Sequence, residues 1–301
     1  MNKNEITLST SSISSNDSIE ISSSYYKKAW RRLKKNKVAM GGLIILSFLF
    51  FMAIIGPYLR PFTYYETHLT LKNLSPNLRY WFGTDELGRD LFTRIWWGAR
   101  ISLFVGIASA LIDMIIGVFY GALAAMIHPK IEEFMMRITD ILYSLPQLLI
   151  TILLMVILGN GITTIIIALT ITGWINMARI IRGQILSIKQ NDYILAAQIM
   201  GAHPFRILLR HFIPNISGSI ITTVTLTIPT AIFMEAFLSF LGLGVQAPIA
   251  SWGTMASDGL NAMRYYPWRL FFPATFISLT ILTFNLLGDG LRDAFDPRLR
   301  T

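Results

Sequence analysis

Six apolar runs in this chain are long enough to cross a bilayer: 38–59, 101–127, 138–158, 162–181, 217–244 and 270–288. A helical span of the hydrocarbon core needs roughly 20 apolar residues. The pattern therefore predicts an all-α membrane protein with six transmembrane helices. The first span, 38–59, stands apart from a core of 101–291. Polar stretches fill the rest: 1–24, 25–37, a loop over 60–100, a second long loop over 182–216 inside the core, and a tail over 292–301.

Charge sets the expected orientation. Residues 25–37 hold Lys27, Lys28, Arg31, Arg32, Lys34, Lys35 and Lys37 around Tyr25, Tyr26, Trp30 and Leu33. That is the composition of a basic amphipathic helix on an anionic cytoplasmic leaflet, or simply of a positive topogenic flank; either reading puts this end inside. Six spans then return the C-terminus inside as well. Of the 26 Lys and Arg, 18 fall in segments this topology makes cytoplasmic, in line with the positive-inside bias. The Ser-, Thr- and Asn-rich residues 1–24 lack the apolar surface to offset ordering entropy and are expected to be disordered. They are no signal peptide, since the first apolar run begins at Val38 and has the length of a span.

The loop over 60–100 closes with Phe82-Gly83-Thr84-Asp85-Glu86-Leu87-Gly88-Arg89-Asp90. A Gly-bounded acidic turn is expected there, with Asp85 and Asp90 placed to pair with Arg89 or Arg94. A short amphipathic helix should follow, with Trp96 and Trp97 at the membrane interface. Three acids close together also suit a divalent cation, although a hydrogen-bonded turn explains them more simply.

Within the spans, a few residues depart from plain hydrophobicity. Gly117, Gly121 and Ala125 lie four apart and permit close helix approach. Asp113 and Glu235 are intramembrane acids, which should face a water-filled path or lock helices together. Pro146 should kink the third span, and Pro229 interrupts the fifth. Gly242 and Gly244 either serve gating or simply stop the fifth helix. The fourth run passes through Trp174, Asn176, Arg179 and Arg182 and should leave the bilayer as unbroken helix. Residues 248–268 are too polar to span but aromatic enough to dip into the outer interface and cap a pore. Asp289-Gly290 and Asp296-Pro297 read as turns in the tail.

Residues 191–215 carry the most distinctive pattern. One helical piece, Tyr193 to Met200, should stop at Gly201; a second should begin at Pro204 and end before Pro214. Phe205, Leu208, Leu209 and Phe212 recur at helical spacing, with Arg206 and Arg210 on another side. Ala196, Ala197 and Gly201 offer a small-residue face on which another protein's surface can seat.

This spacing resembles the cytoplasmic loop of ATP-binding-cassette importer permeases, in which Glu-Ala-Ala is followed at set distances by Gly and Pro. Ala196, Ala197, Gly201 and Pro214 match, Leu195 replaces the Glu, and the nearest acid is Asp192. Residues 210–215, the 82–103 segment, the run from Glu235 to Gly259 and the tail resemble the oligopeptide/dipeptide/nickel branch, and within it the C-type permeases. The resemblance implies the ABC importer transmembrane-domain fold in a prokaryotic cell membrane. It also implies an assembly: a second permease subunit, two ABC ATPase subunits carrying ATP and Mg, and an extracytoplasmic binding protein that delivers oligopeptides. The ATPase-coupling loop would be carried by Asp192, Ala196, Ala197, Gly201, Pro204, Arg206, Arg210 and Pro214. Asp113, Pro146, Pro229, Glu235, Gly242 and Gly244 are the candidates for pathway or gating.

Composition narrows the alternatives. The chain is 53% hydrophobic and only 14% charged, against about 25% charged in soluble domains. Net charge is +9, but no basic stripe with interleaved aromatics lies outside the membrane flanks, so no nucleic-acid partner is expected. There is no cysteine, no phosphate-binding loop, and no hydrolase or metalloprotease motif; His68, His128, His203 and His211 are scattered. An enzyme is not expected, and no cofactor in this chain. Two other readings remain: a nickel or small-solute importer of the same branch, and a gradient-driven transporter using Asp113 and Glu235. The second usually comes with internal repeats, and none is evident.

Overall fold

The computed structural model describes residues 26–295, and among them no β-strand forms. The expectations for 1–24, for Tyr25 and for the Asp296-Pro297 turn lie outside the described residues. Helix α1 covers 26–35. Then come α2 (Lys37–Ile55), α3 (Leu91–Met126), α4 (Pro129–Ser144), α5 (Gln147–Leu158) and α6 (Ile162–Lys189). The remainder are α7 (Asp192–Ile199), α8 (Pro204–Ile207), α9 (Ile213–Phe240), α10 (Trp252–Ala262) and α11 (Trp268–Phe295). Five helical stretches are long and apolar enough to cross a membrane, and a sixth arises if α4 and α5 are counted as one broken span.

That broken span is the first departure from the sequence pattern. The run over 138–158 is not one kinked helix: α4 and α5 meet at 79°. Proline disfavours helical geometry in the residue before it, and Leu145 is extended, at φ −79° and ψ 133°. Pro146 then caps α5.

The second departure is at Trp96. No separate interfacial helix precedes the second span, because α3 runs unbroken from Leu91 to Met126. Asp90 starts it by accepting a hydrogen bond from the Thr93 amide (2.8 Å). Trp96 is buried, wedged between Phe276 and Phe92. Trp97 stacks on Tyr64 with ring centroids 4.2 Å apart.

The third lies at Pro214. The second piece of the 191–215 segment does not end there; helix continues from Pro204 to Phe240. A proline ring collides with the carbonyl four residues back, here that of Arg210. One wide turn over Leu208–Phe212 relieves the clash, with the Ile213 amide bonding to the Leu208 carbonyl. The Asn215 side-chain amide takes up the His211 carbonyl at 2.7 Å.

Asp289-Gly290 is likewise no turn but the interior of α11, where Gly290 lets α11 press against Ala39 of α2. In α1, Ala29 and Leu33 pack on Ala39 and Ala294, while Tyr26 and Trp30 are exposed.

The bundle is organised on α3. Along its second half it packs on α6 so closely that a Cβ at Gly117 would lie 2.6 Å from the Met177 Cβ and 2.7 Å from the Trp174 carbonyl. A Cβ at Gly121 would overlap the Ala178 carbonyl. Small residues four apart let two backbones meet in this way. Helices α9 and α11 close the other side, with α2 laid along α11 and α10 lying across α9 and α11.

Candidate functional site

A cavity of about 610 Å³ opens among α3, α6, α9 and the end of α11. Its wall is unusually polar for such apolar helices. Thr223, Thr227 and Thr230 form a stripe along α9, and Asn176 and Gln184 face it from α6. Gln147 enters from the start of α5. Two charged residues belong to the lining, Asp113 from α3 and Arg292 from α11. Asp113 is 5% exposed, and its Oδ1 has no hydrogen-bond partner among the described residues. It rests on Gly173, where any side chain would overlap the carboxylate.

The other intramembrane acid is differently placed. Glu235 is fully buried and accepts hydrogen bonds from Ser102 Oγ (2.9 Å) and Ser239 Oγ (2.8 Å). Ser102 Oγ also accepts from the Trp252 amide at the start of α10. Glu235 thus ties α3, α9 and α10 together and is not part of the cavity wall. Removing its side chain takes the acceptor from two buried hydroxyls, those of Ser102 and Ser239, and opens a void. Glu235→Ala should cost about 2–4 kcal/mol, and Glu235→Gln markedly less. Thermal unfolding of the purified protein in detergent checks this: equal losses in both variants would refute the hydrogen-bonded lock.

The other candidates occupy structural positions. Pro146 caps α5 and Pro229 is buried inside α9. Gly242 ends α9 at φ +81°, a left-handed conformation that glycine adopts without penalty. Leu243 then bonds back to the Leu238 carbonyl (2.9 Å). Gly242 and Gly244 also border a smaller pocket of about 240 Å³ near Arg89 and Arg94.

The acidic turn before α3 is a buried ion-pair network. Asp85 Oδ2 accepts from Arg89 Nε at 2.6 Å and lies 3.4 Å from Arg94 Nε, while Asp85 Oδ1 takes the amides of Leu87 and Arg89. Asp90 caps α3 and makes no ion pair among the described residues; burial pushes its carboxyl above the usual carboxylate range, against the opposing pull of the Thr93 hydrogen bonds. Arg269, from the start of α11, reaches Glu86 at 3.0 Å. Leaving buried arginines without their carboxylate is costly, so Asp85→Asn should lose about 3–5 kcal/mol. An unfolding midpoint within error of wild type would show that the network contributes nothing. Among the described residues no three His, Cys, Asp or Glu side chains gather in a way that would hold a metal ion.

The 191–215 segment forms the short helix α7, a break and the start of the helix that continues from Pro204. Gly201 carries φ +76° and ends α7, with its amide on the Gln198 carbonyl (2.9 Å). Ile194, Ile207 and Phe212 are buried beneath it, packed with Ile181 and Ile185 of α6, and Ala197 is buried as well. Ala197 therefore faces inward, whereas Ala196, Leu195, Ile199 and Met200 face out. Of the four apolar residues that recur at helical spacing in the second piece, Phe205 and Leu209 are exposed and Phe212 is buried, together with Ile207.

The family described as binding-protein-dependent transport system inner membrane component matches residues 114–301, more than half of the chain. This chain belongs to that family. The N-terminal transmembrane domain of oligopeptide transport permease C matches residues 24–76. Similar relatives include the dipeptide transport system permease protein DppC of Bacillus subtilis, 60% identical over 278 residues, 92% of this chain and 87% of the relative. The oligopeptide transport system permease protein OppC of Bacillus subtilis is 57% identical over 277 residues, 92% of this chain and 91% of that protein. OppC of Escherichia coli K12 is 41% identical over 279 residues, 92% of each. Among solved structures, the inward-facing MetNI methionine ABC transporter matches with a TM-score of 0.56 at 20% identity, covering 67% of this chain and 96% of that one. At that identity the likeness is one of fold. The resemblance first read from Ala196, Ala197, Gly201 and Pro214 thus holds for an importer permease of the oligopeptide/dipeptide branch.

Sequence reading of this permease missed most of the cavity wall. The Thr223, Thr227 and Thr230 stripe carried a signal, polar residues at helical spacing inside an apolar run. Arg292 carried none, because nothing in the tail says which helix it faces.

Proposed function

We propose that this chain is a transmembrane permease subunit of an ATP-driven importer that takes oligopeptides or dipeptides from an extracytoplasmic binding protein across the cell membrane. The observation that carries this reading is the 60% and 57% identity to a dipeptide and an oligopeptide permease over 92% of the chain. The polar cavity among apolar helices is consistent with it, since hydroxyl and amide side chains can exchange hydrogen bonds with any peptide backbone. The chain's ends lie on the cytoplasmic side. A second permease subunit completes the pathway, and ATP and Mg sit on two separate ATPase subunits.

The 182–216 segment is the coupling loop. Its outward apolar residues Leu195, Ile199, Met200, Phe205 and Leu209 seat in an ATPase, flanked by Asp192, Ala196, Arg206 and Arg210. Gly201, Pro204 and Pro214 shape the loop, and Ala197 anchors it to this chain. Helix α6 runs without a break from the cavity wall to Lys189, so a push on α7 reaches the cavity as a rigid-body movement. Uptake of labelled peptides and of nickel in cells with and without this chain, companions intact, tests the reading. Selective loss of peptide uptake is expected; loss of nickel uptake alone would overturn the substrate.

A further inference from the structure

We propose that Asp113 is the receptor for the ammonium group of the passing peptide, an inference that rests on the peptide-permease reading above. A transporter of peptides of many sequences can rely only on what all of them share: the backbone, one terminal ammonium and one terminal carboxylate. The cavity is furnished for the first of these by Thr, Ser, Asn and Gln side chains. For the second it offers one carboxylate, Asp113, the only acid in its wall among the described residues.

The setting of Asp113 is not that of a structural acid. Glu235 shows what the same bundle does with a structural one: two serine hydroxyls meet its two oxygens, and it lies away from the cavity. Asp113 has no such partners; its Oδ1 is buried and unmatched, and its side chain is 95% covered. A buried polar group normally finds a partner, and an unpaired carboxylate is costly to bury. Gly173, which lines the cavity beside it, leaves the carboxylate the space that any side chain there would fill. A primary ammonium arriving there supplies the missing donors and the missing charge together. At about 610 Å³ the cavity also falls within the range of sites for small organic ligands.

The complete transporter in proteoliposomes gives the test, with this chain, its companion permease, the ATPases and the binding protein present. Uptake of tri-alanine is compared with that of its N-acetylated form, in wild type and Asp113→Asn. The binding protein is common to both, so its own preference cancels in the comparison. Asp113→Asn should lower the preference for the free amine about tenfold, and Asp113→Glu should restore part of it. An N-acetylated peptide bearing a lysine separates the sources of the ammonium: if its uptake also falls in Asp113→Asn, a side-chain ammonium serves as well as the terminal one. Equal losses for tri-alanine and its acetylated form would mean that Asp113 only packs helices, and the inference fails. Wild-type uptake of no peptide at all would defeat the peptide reading itself. A second measurement needs no variant. Carbodiimide labelling of Asp113 in the wild-type complex, followed by mass spectrometry, should be slowed by tri-alanine and not by acetyl-tri-alanine; protection by both or by neither overturns the proposal.

Discussion

Gly121→Leu is expected to reduce the folded protein recovered from membranes to a small fraction of the wild-type amount, and Gly117→Leu/Gly121→Leu to abolish it. The physical cause is the seam between α3 and α6. At Gly121 the obstacle is the carbonyl of Ala178, and at Gly117 it includes the Trp174 carbonyl 2.7 Å away. Backbone cannot rotate aside as a side chain can. Overpacking a core typically costs about 1–3 kcal/mol when neighbours can shift, and here two helices of 36 and 28 residues must separate along their length. That separation also opens the Asp113–Gly173 contact and the wall of the cavity. Gly183→Leu is the control: it lies in the same α6, and nothing stands within 4 Å of an added Cβ. Monodisperse protein after detergent extraction is the readout. Normal recovery of Gly121→Leu with an unchanged unfolding midpoint would show that the seam is looser than the structure describes.

The largest functional loss is expected from Ile199→Arg/Met200→Arg. Uptake should drop at least a hundredfold while the protein accumulates and unfolds as wild type does. These side chains are 86% and 81% exposed, so this chain alone has no packing to lose there. An apolar cluster of this kind at the tip of a helix pair marks an interaction surface, and two arginines buried in an apolar socket without partners would each cost several kcal/mol. Co-purification of the ATPase subunits distinguishes the routes: its loss together with uptake supports docking, and full uptake with normal ATPase recovery would remove the loop from the coupling path. Two more obvious substitutions are poorer probes. Ala197 is buried under its own helix, and Gly201 holds φ +76°, so bulk at either position damages the loop before it meets a partner. Leu195 stands where the family pattern has Glu, and it is exposed beside Ile199. Leu195→Glu should therefore keep uptake within a few-fold of wild type.

These two positions also mark where sequence reading succeeds and where it stops. The Gly117, Gly121 and Ala125 spacing announced a close approach, because four residues bring small side chains to one helix face whatever the partner. It did not name Met177, Trp174 and Ala178 as that partner. Gly201 announced the end of α7, because a left-handed residue at a helix terminus is a local requirement. The inward turn of Ala197 and the outward turn of Phe205 and Leu209 were not legible. They depend on how the segment packs on α6, where Ile181 and Ile185 meet Ile194, Ile207 and Phe212.

By itself the sequence determined the helical class, the apolar runs, a disturbance of the helix at Pro146, the helix stop at Gly201 and the family resemblance. All of these depend on interactions within a few residues or on the length of an apolar run. Only the tertiary structure separated the two intramembrane acids. Asp113 and Glu235 look alike in sequence, one acid in an apolar run; the difference lies in Ser102, Ser239 and Gly173, which come from other helices or other turns. The same holds for the continuous α3, whose Trp96 is held by Phe276 from the far end of the chain. What a side chain meets across a helix seam depends on the rotation of both helices, and no local pattern encodes that rotation.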